Sequence, residues 1–254
     1  MSTTTDTMPM SRTRLYTEGP LQTGAELELS DDRARYLGRV LRLRPADELV
    51  VFDGHGGEYR AVIGSISKGT VRIAVGQHVD ADQESPLAIH LLQGLSRGER
   101  MDFVMQKATE LGVRRITPVV TEYSLVKLDD ERAAKRIHHF RGVTVSACEQ
   151  SGRNVLPVID TPIAFREWLG KHHGAEDPRL VLKPGAKQTL KSATVAPPAI
   201  TVLIGPEGGL SEAEYGLAEA TGFQTIGMGP RVLRTETAAL AVISALQALY
   251  GDLA

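Results

Sequence analysis

The sequence predicts an α/β protein: a small, mostly antiparallel β-barrel followed by a larger domain built on a parallel sheet. Three observations carry this. Short β-like runs crowd residues 12–79, a polar stretch GQHVDADQESP breaks the composition at 76–86, and strand-like and helix-like segments alternate beyond Pro86. At 254 residues the chain holds between one and two domains of about 150 residues. That is long enough to bury a core without disulfide or metal staples. The expected division is a disordered start over 1–11, a barrel over 12–79, a linker over 80–86 and the sheet domain over 87–254.

Within the barrel, GAELEL alternates, ELVVFDG reads as a strand running into a turn, and EYRAVIGSI and GTVRIAVG are apolar runs punctuated by glycine. Between the first two, DDRARYLGRVLRL sets Tyr36, Leu37, Val40 and Leu41 at helical spacing and predicts one apolar helix face. In the second domain AIHLLQGL (88–95) is a buried strand. The helix after it presents Met101, Val104, Ala108 and Leu111 on one side, and Gly112 stands where a helix ends. RITPVV, RLVLK, AITVLI and QTIGM are further strands, and helices are expected at 131–148, 163–171, 211–221 and 235–250. Strands alternating with helices imply a parallel sheet covered on both faces, with ligands at the carboxyl ends of its strands. The last helix is apolar on more than one side. Ala238, Ala241, Val242, Ala245 and Leu249 form one stripe with Leu240 and Leu246 beside it, which fits either a subunit interface or a fully buried core helix.

Composition narrows the function classes. Apolar residues make up 42% and charged residues 24%, ordinary for a globular chain. Twenty-nine Lys and Arg against 31 Asp and Glu give a net charge of −2, so any grip on nucleic acid must come from local patches. Cys148 is the single cysteine and forms no intrachain disulfide. No His-x-x-x-His or Cys-x-x-Cys spacing exists, so no metal site is expected. The start MSTTTDTMPMS lacks a basic and then apolar region, and no apolar run reaches the roughly 20 residues that span a bilayer. A cytoplasmic protein with no membrane partner is the expectation.

Chemistry concentrates in two glycine turns. In the first, the strand AITVLI runs into Gly205-Pro206-Glu207-Gly208-Gly209, and Ser211 with Glu214 three residues later forms a capping box that opens a helix. Glycines allow close backbone approach to a ligand, although a tight strand-to-helix turn would need them too. The loop has neither G-x-G-x-x-G nor G-x-x-x-x-G-K-[ST] spacing, and Glu207 places negative charge where a phosphate would lie. A neutral or cationic nucleoside suits it better, and S-adenosylmethionine has no phosphate and a positive sulfonium. In the second turn, QTIGMGPRVLRTETAAL passes from a strand through Gly-Met-Gly-Pro to Arg231 and Arg234, then to Thr235 at the head of a long helix. Those arginines could grip RNA or simply pair with surface carboxylates.

Two further segments compete. SACEQSGRNVLP (146–157) crowds Glu149, Gln150, Arg153 and Asn154 around a turn, side chains able to pair with a base edge. Cys148 beside them reads better as a small core hydrophobe than as a nucleophile. Gly94-Leu95-Ser96-Arg97-Gly98 matches the G-x-S-x-G elbow of α/β hydrolases. The partner histidine would have to be His138, His139, His172 or His173, leaving 81 residues after the last of them, which argues against a serine hydrolase.

Taken in order, LRLRPADELVVFDGHGGEYRA, SRGERMDFVMQKATELGVRRITPV, ACEQSGRN, LIGPEGGLS and MGPRVLRTETAAL resemble the RsmE family of 16S ribosomal RNA methyltransferases. The likeness covers nearly all of the chain after about residue 12. It implies a PUA-like barrel followed by a SPOUT domain with a C-terminal trefoil knot, a homodimer, and transfer of a methyl group from S-adenosylmethionine to N3 of one uridine in the small ribosomal subunit. Carried over by position, it implies a cofactor site made of Leu182, Lys183, Pro184, Gly205, Pro206, Glu207, Gly208, Gly209, Met228, Gly229, Leu233, Arg234 and Thr235. The family often has His where this chain has Lys183.

Methyl transfer from a sulfonium is an in-line displacement with a good leaving group, so positioning and preparation of the nucleophile dominate. Uracil N3 holds its proton above neutral pH, so charge developing at O2 and O4 needs fixed donors. Arg97 or Arg153 would supply them, Asn154 would bond a carbonyl, and Glu149 would be a base if burial raises its pKa. RNA docking would fall to Arg12, Arg14, Arg33, Arg35, Arg39, Arg42 and Arg44 in the barrel, which fix register through phosphates. A solvated helix face paired with Asp31 and Asp32 is the plainer reading of that row. The functional alternative is a catalytically silent RNA-binding protein, which cofactor binding would separate from the enzyme.

Overall fold

A computed structural model of the chain describes residues 13–67, 69–124, 130–172, 177–193 and 198–253. Arg12 and His173, both named above, lie outside them. The chain divides into two compact units, Met1–Glu84 with Cys148–Val155, and Ser85–Ala147 with Leu156–Ala254.

In the first unit, β1 (Arg14–Tyr16), β2 (Glu26–Ser30), β3 (Glu48–Phe52), β4 (Glu58–Ser67) and β5 (Thr70–Val79) form one sheet in the order β1-β3-β4-β5-β2. The last four pair antiparallel, and β1 joins β3 in parallel. Three-residue β1 is too short to carry an alternation and has no sequence signal. Two register shifts between β4 and β5 bend the sheet. All five strands feed one core of Leu15, Leu37, Leu49, Val51, Ile63, Val71 and Ile73, with Leu27 and Leu29 of β2 packed against it.

The predicted helix over 31–43 differs. Helix α1 (Asp31–Arg35) passes directly into a π-helical turn, Tyr36–Val40, closed by the Leu41 amide donating to the Tyr36 carbonyl at 3.0 Å. The wider turn breaks the single apolar stripe. Leu37 is fully buried, whereas Tyr36 is 46% and Val40 65% exposed.

The expected linker is also different. Glu84 is buried against Arg153, and Asn154 Nδ2 donates to the Ala81 carbonyl at 3.0 Å, so residues 148–155 complete the first unit rather than belonging to the sheet domain. Contacts so distant in sequence leave no local signature.

The second unit carries β6 (Ala88–Gly94), β7 (Arg115–Val120), β8 (Val158–Ile159), β10 (Arg179–Leu182), β11 (Ala199–Ile204) and β12 (Phe223–Ile226) in the order β12-β10-β11-β6-β7-β8, with short β9 (Ile163–Ala164) also against β7. Every pairing is parallel. Successive residues face opposite sides, as a twofold side-chain period requires. Leu91, Val202 and Leu180 enter one core with α2 (Glu99–Glu110), α6 (Thr235–Tyr250) and Phe140 of α3 (Asp130–Ser151). Leu92, Leu203 and Val181 enter the other with α4 (Phe165–Lys171) and α5 (Glu212–Ala220). Burial on both faces explains why these strands read as continuous apolar runs. Helix α6 buries Ala239, Val242, Ile243 and Leu246, while Leu249 is exposed and Ala241 and Ala245 are half-buried. Among the described residues no helix is long and apolar enough to cross a membrane, and no cluster of His, Cys, Asp and Glu could hold a metal.

Candidate active site

Strands β12, β10, β11 and β6 are neighbours, so the turns leaving their carboxyl ends emerge side by side. Those turns enclose a cavity of about 320 Å³ lined by Leu182, Lys183 and Pro184 after β10, Gly205, Pro206, Glu207 and Gly209 after β11, and Met228, Gly229, Leu233, Arg234 and Thr235 after β12. Of the residues expected in a cofactor site, Gly208 alone is not in the lining. A Cβ there would fall 2.8 Å from the Tyr123 Cβ, so its glycine serves packing.

The two glycine turns are stapled through one hydroxyl. Thr235 Oγ1 donates to the Gly205 carbonyl at 2.6 Å and receives the Gln93 side-chain amide at 2.9 Å. At Gly94 the main chains touch so closely that a Cβ would lie 2.3 Å from the Pro206 nitrogen. The capping box predicted for α5 forms. The Ser211 hydroxyl receives the Glu214 amide, and the Glu214 carboxylate takes the Ser211 and Glu122 amides at 3.0 and 2.9 Å.

Two ion pairs, Arg100–Glu207 and Lys183–Glu212, stand at the cavity. Glu207 Oε1 accepts Arg100 Nη1 at 2.8 Å and the Arg97 amide at 3.3 Å. Burial works to raise the Glu207 pKa, but hydrogen bonds from its own amide, Arg100, the Arg97 amide and Ser96 outweigh it and hold the carboxylate below its ordinary range. Lys183 Nζ reaches Glu212 at 2.7 Å and lies 4.5 Å from the centre of the Tyr215 ring. The Tyr215 phenol donates to the Leu182 carbonyl at 3.2 Å; burial, with Glu212 and Glu214 nearby, pushes its pKa up to about 12 and keeps it a donor. Arg100 and Tyr215 were not singled out from the sequence. Both stand just inside the helix that follows a cavity strand, Arg100 in α2 after β6 and Tyr215 in α5 after β11, and that placement is the signal that could have found them.

The lining suits an adenosine-bearing sulfonium. It combines apolar side chains with exposed main chain at Gly209 and Gly229, where a Cβ would meet nothing within 4 Å and positive φ favours glycine. The carboxylates of Glu207 and Glu236 lie in the lining beside Arg100, Lys183, Arg231 and Arg234.

The catalytic candidates separate. Arg97 is exposed beside Glu207. Glu149, Arg153 and Asn154 belong to the first unit, and none of them lines the cavity. Arg153 is 3% exposed and its guanidinium engages both oxygens of buried Glu84, Nη2 at 2.6 Å. Asn154 is fully buried and accepts from Arg14. Glu149 takes the Tyr16 amide at 2.9 Å; burial raises its pKa, opposed by that hydrogen bond and by Arg33 and Arg14. Hydrogen bonds already hold these polar atoms, which alters the role expected of Arg153 and Asn154. Cys148 is buried and burial pushes its thiol up to about 12, as a core residue should be.

The arginine row divides too. Arg14 binds Glu58 and lies 5.1 Å from the Phe52 ring centre, and Arg33 donates to the Tyr16 carbonyl at 2.8 Å, so both brace the unit from within. Arg35, Arg39, Arg42 and Arg44 are exposed. In the hydrolase motif, Ser96 is buried and its hydroxyl, 3.3 Å from the Gly94 carbonyl, is shared between that carbonyl and the Glu207 carboxylate, while His139 pairs with Asp102 and His172 bonds the Trp168 carbonyl.

Comparison with known proteins agrees with the geometry. Residues 83–247 match the RNA methyltransferase domain family and residues 29–75 the RNA methyltransferase PUA domain. The chain is 34% identical over 239 residues to the ribosomal RNA small subunit methyltransferase E of Buchnera aphidicola from Acyrthosiphon pisum, covering 94% of each. A putative methyltransferase of Legionella pneumophila, solved with bound SAM, is 41% identical with a TM-score of 0.90, covering 95% of this chain and 99% of that one. The ribosomal RNA small subunit methyltransferase E of Neisseria gonorrhoeae, solved with S-adenosyl methionine, is 40% identical with a TM-score of 0.88, covering 96% and 100%. With a site of this shape on a fold shared from end to end, the chain belongs to the ribosomal RNA small subunit methyltransferase E family.

Proposed function

We propose that this protein methylates N3 of a uridine in 16S ribosomal RNA, using S-adenosylmethionine held by the turns after β10, β11 and β12. The observation that carries the reading is the meeting of Gly205–Gly209 with Met228–Thr235 around one cavity, stapled by Thr235. The cofactor supplies an electrophilic methyl on a sulfonium that departs as a neutral thioether. Main-chain groups of the glycine turns would grip the nucleoside, and Glu207, held ionised by Arg100, would balance positive charge in the cavity.

Arg97, beside Glu207, and Arg100, in the cavity lining, would receive negative charge spreading onto the uracil carbonyls once N3 loses its proton to water or a base. Arg153 and Asn154 act in this reading as supports of the first unit, and Glu149 as an acceptor for its main chain. Docking of the RNA falls to exposed Arg35, Arg39, Arg42 and Arg44. A homodimer formed through the half-exposed apolar side of α6, a knotted chain path through the three turns and a cytoplasmic setting belong to the same reading. The cavity argues against a catalytically silent RNA-binding protein.

The test joins two measurements. Calorimetry should give saturable binding of S-adenosylmethionine, and labelled methyl transfer to small subunits from cells lacking this protein should yield 3-methyluridine on nucleoside analysis. A different methylated nucleoside would overturn the uracil-N3 assignment, and absence of cofactor binding would overturn the enzyme.

A further inference from the structure

A tyrosine and a valine that sequence periodicity assigns to a core stand outside it. Tyr36 and Val40 are 46% and 65% exposed, while Leu37 between them is fully buried. The cause is the π-helical turn Tyr36–Val40, which anchors Leu37 in the core of the first unit and turns its neighbours outward. Turns of this kind are rare and recur at functional sites. Immediately after it Arg42 holds φ at +55°, in the left-handed region that favours glycine. Such a conformation in a non-glycine residue persists only where its surroundings require it, and it gathers at ligand-binding positions.

Exposed arginines stand close to this pair in the chain. Arg39 lies three residues from Tyr36, and Arg42 and Arg44 follow within the next turn of chain. The nearby Asp47 carboxylate is committed to the Arg44 main-chain amide at 2.7 Å. An exposed aromatic ring and an exposed aliphatic side chain in a segment rich in exposed arginines match a polyanion with exposed flat rings. A second copy of the same arginine-rich surface would meet it with like charge, and a paired helix hides its base faces inside the stack. An RNA loop offers both phosphates and open bases.

We propose that Tyr36 and Val40 form a stacking platform for one unpaired base of an RNA loop, with Arg39, Arg42 and Arg44 engaging the phosphates on either side. This rests on the reading of the chain as an enzyme that docks RNA through its first unit, and gives that docking a preference for open over paired RNA. Stacking accepts any base, so the platform contributes structure selectivity rather than a sequence code.

The experiment uses the full-length protein and two labelled RNAs, a hairpin with an unpaired pyrimidine loop and a fully paired duplex of equal length. Tyr36→Ala should weaken hairpin binding about tenfold or more and leave duplex binding within about twofold, since base–aromatic stacking is lost only where a base is open. Tyr36→Phe and Tyr36→Trp should bind the hairpin as the parent does, because the ring and not the hydroxyl does the stacking. Arg39→Ala and Arg42→Ala should weaken both RNAs and each lower the slope of log affinity against log salt by roughly 0.7 on the single-stranded loop. S-adenosylmethionine affinity, measured alongside, should stay at the parent value in every variant. Equal losses on hairpin and duplex, an unchanged hairpin affinity in Tyr36→Ala, or no rescue by phenylalanine would overturn the platform. Unchanged salt slopes in the arginine variants would instead overturn RNA docking through this surface, a separate failure.

Discussion

Gly94 ends the strand β6 against the first glycine turn, where an added Cβ would meet Pro206 at 2.3 and 2.5 Å. The obstruction is largely main chain, so it cannot be relieved by a rotamer. Gly94→Ala should force the turn away, destabilise the protein by about 1–3 kcal/mol and lower cofactor affinity at least tenfold in calorimetry. Gly142 in α3 is the control, with nothing within 4 Å of its added Cβ. Gly142→Ala should raise stability by about 0.4–1 kcal/mol and leave binding alone. A second residue-scale prediction concerns pH. His90 is driven down from 6.5 to about 4, first by burial and then by Arg115, with Asp160 opposing. Thr117 gives its proton to Asp160, so His90 Nε2 donates to the Thr117 hydroxyl at 2.7 Å and is held neutral. The unfolded chain takes up that proton from pH 6.5 downward and the folded one does not. This contribution is therefore complete above pH 6.5, is lost progressively as pH falls toward about 4, and amounts to roughly 3 kcal/mol. His90→Gln should flatten the melting temperature over that window; a parent-like slope in the variant would sink the assignment.

Helix α5 owes its start to two side chains of unequal weight. Ser211→Ala removes one cap bond and should lower stability by about 1 kcal/mol. Glu214→Ala removes two amide contacts to a buried carboxylate, one of them from Glu122 across the turn, and should lower it by about 2–3 kcal/mol in denaturant titrations. The capping box was legible because it is local, and so were the parallel strands, whose double burial leaves unbroken apolar runs. The π-helical turn was not legible. Its residues at 36, 37, 40 and 41 fit an ordinary amphipathic helix, and only the shape of the core receiving Leu37 selects the wider turn.

At the scale of the molecule, the buried pair Glu84–Arg153 ties the end of the expected linker to the segment 148–155. Removing one partner strands the other charge in an apolar interior, so Arg153→Ala should destabilise the first unit by about 3–5 kcal/mol. Its S-adenosylmethionine affinity should remain within twofold of the parent, because the cavity is built wholly in the second unit. A variant that folds as stably as the parent but transfers no methyl would restore Arg153 to the reaction. From sequence, Arg153 and Asn154 looked like base-edge readers because they crowd a turn with Glu149, a pattern that exposed binding loops and buried junctions share.

Pattern and spacing determined the class of fold and the longer strands and helices of the second unit, while the two-residue strands β8 and β9 left no signal. These are local or periodic properties, set by which residues repeat along a strand or helix and where glycine interrupts them. Only the tertiary structure decided that Thr235 joins the turns, that Arg100 holds Glu207, and that Arg14, Arg33, Arg153 and Asn154 look inward while Tyr36 looks out. The direction of a polar or aromatic side chain depends on partners far away in the chain, and sequence spacing carries no record of them.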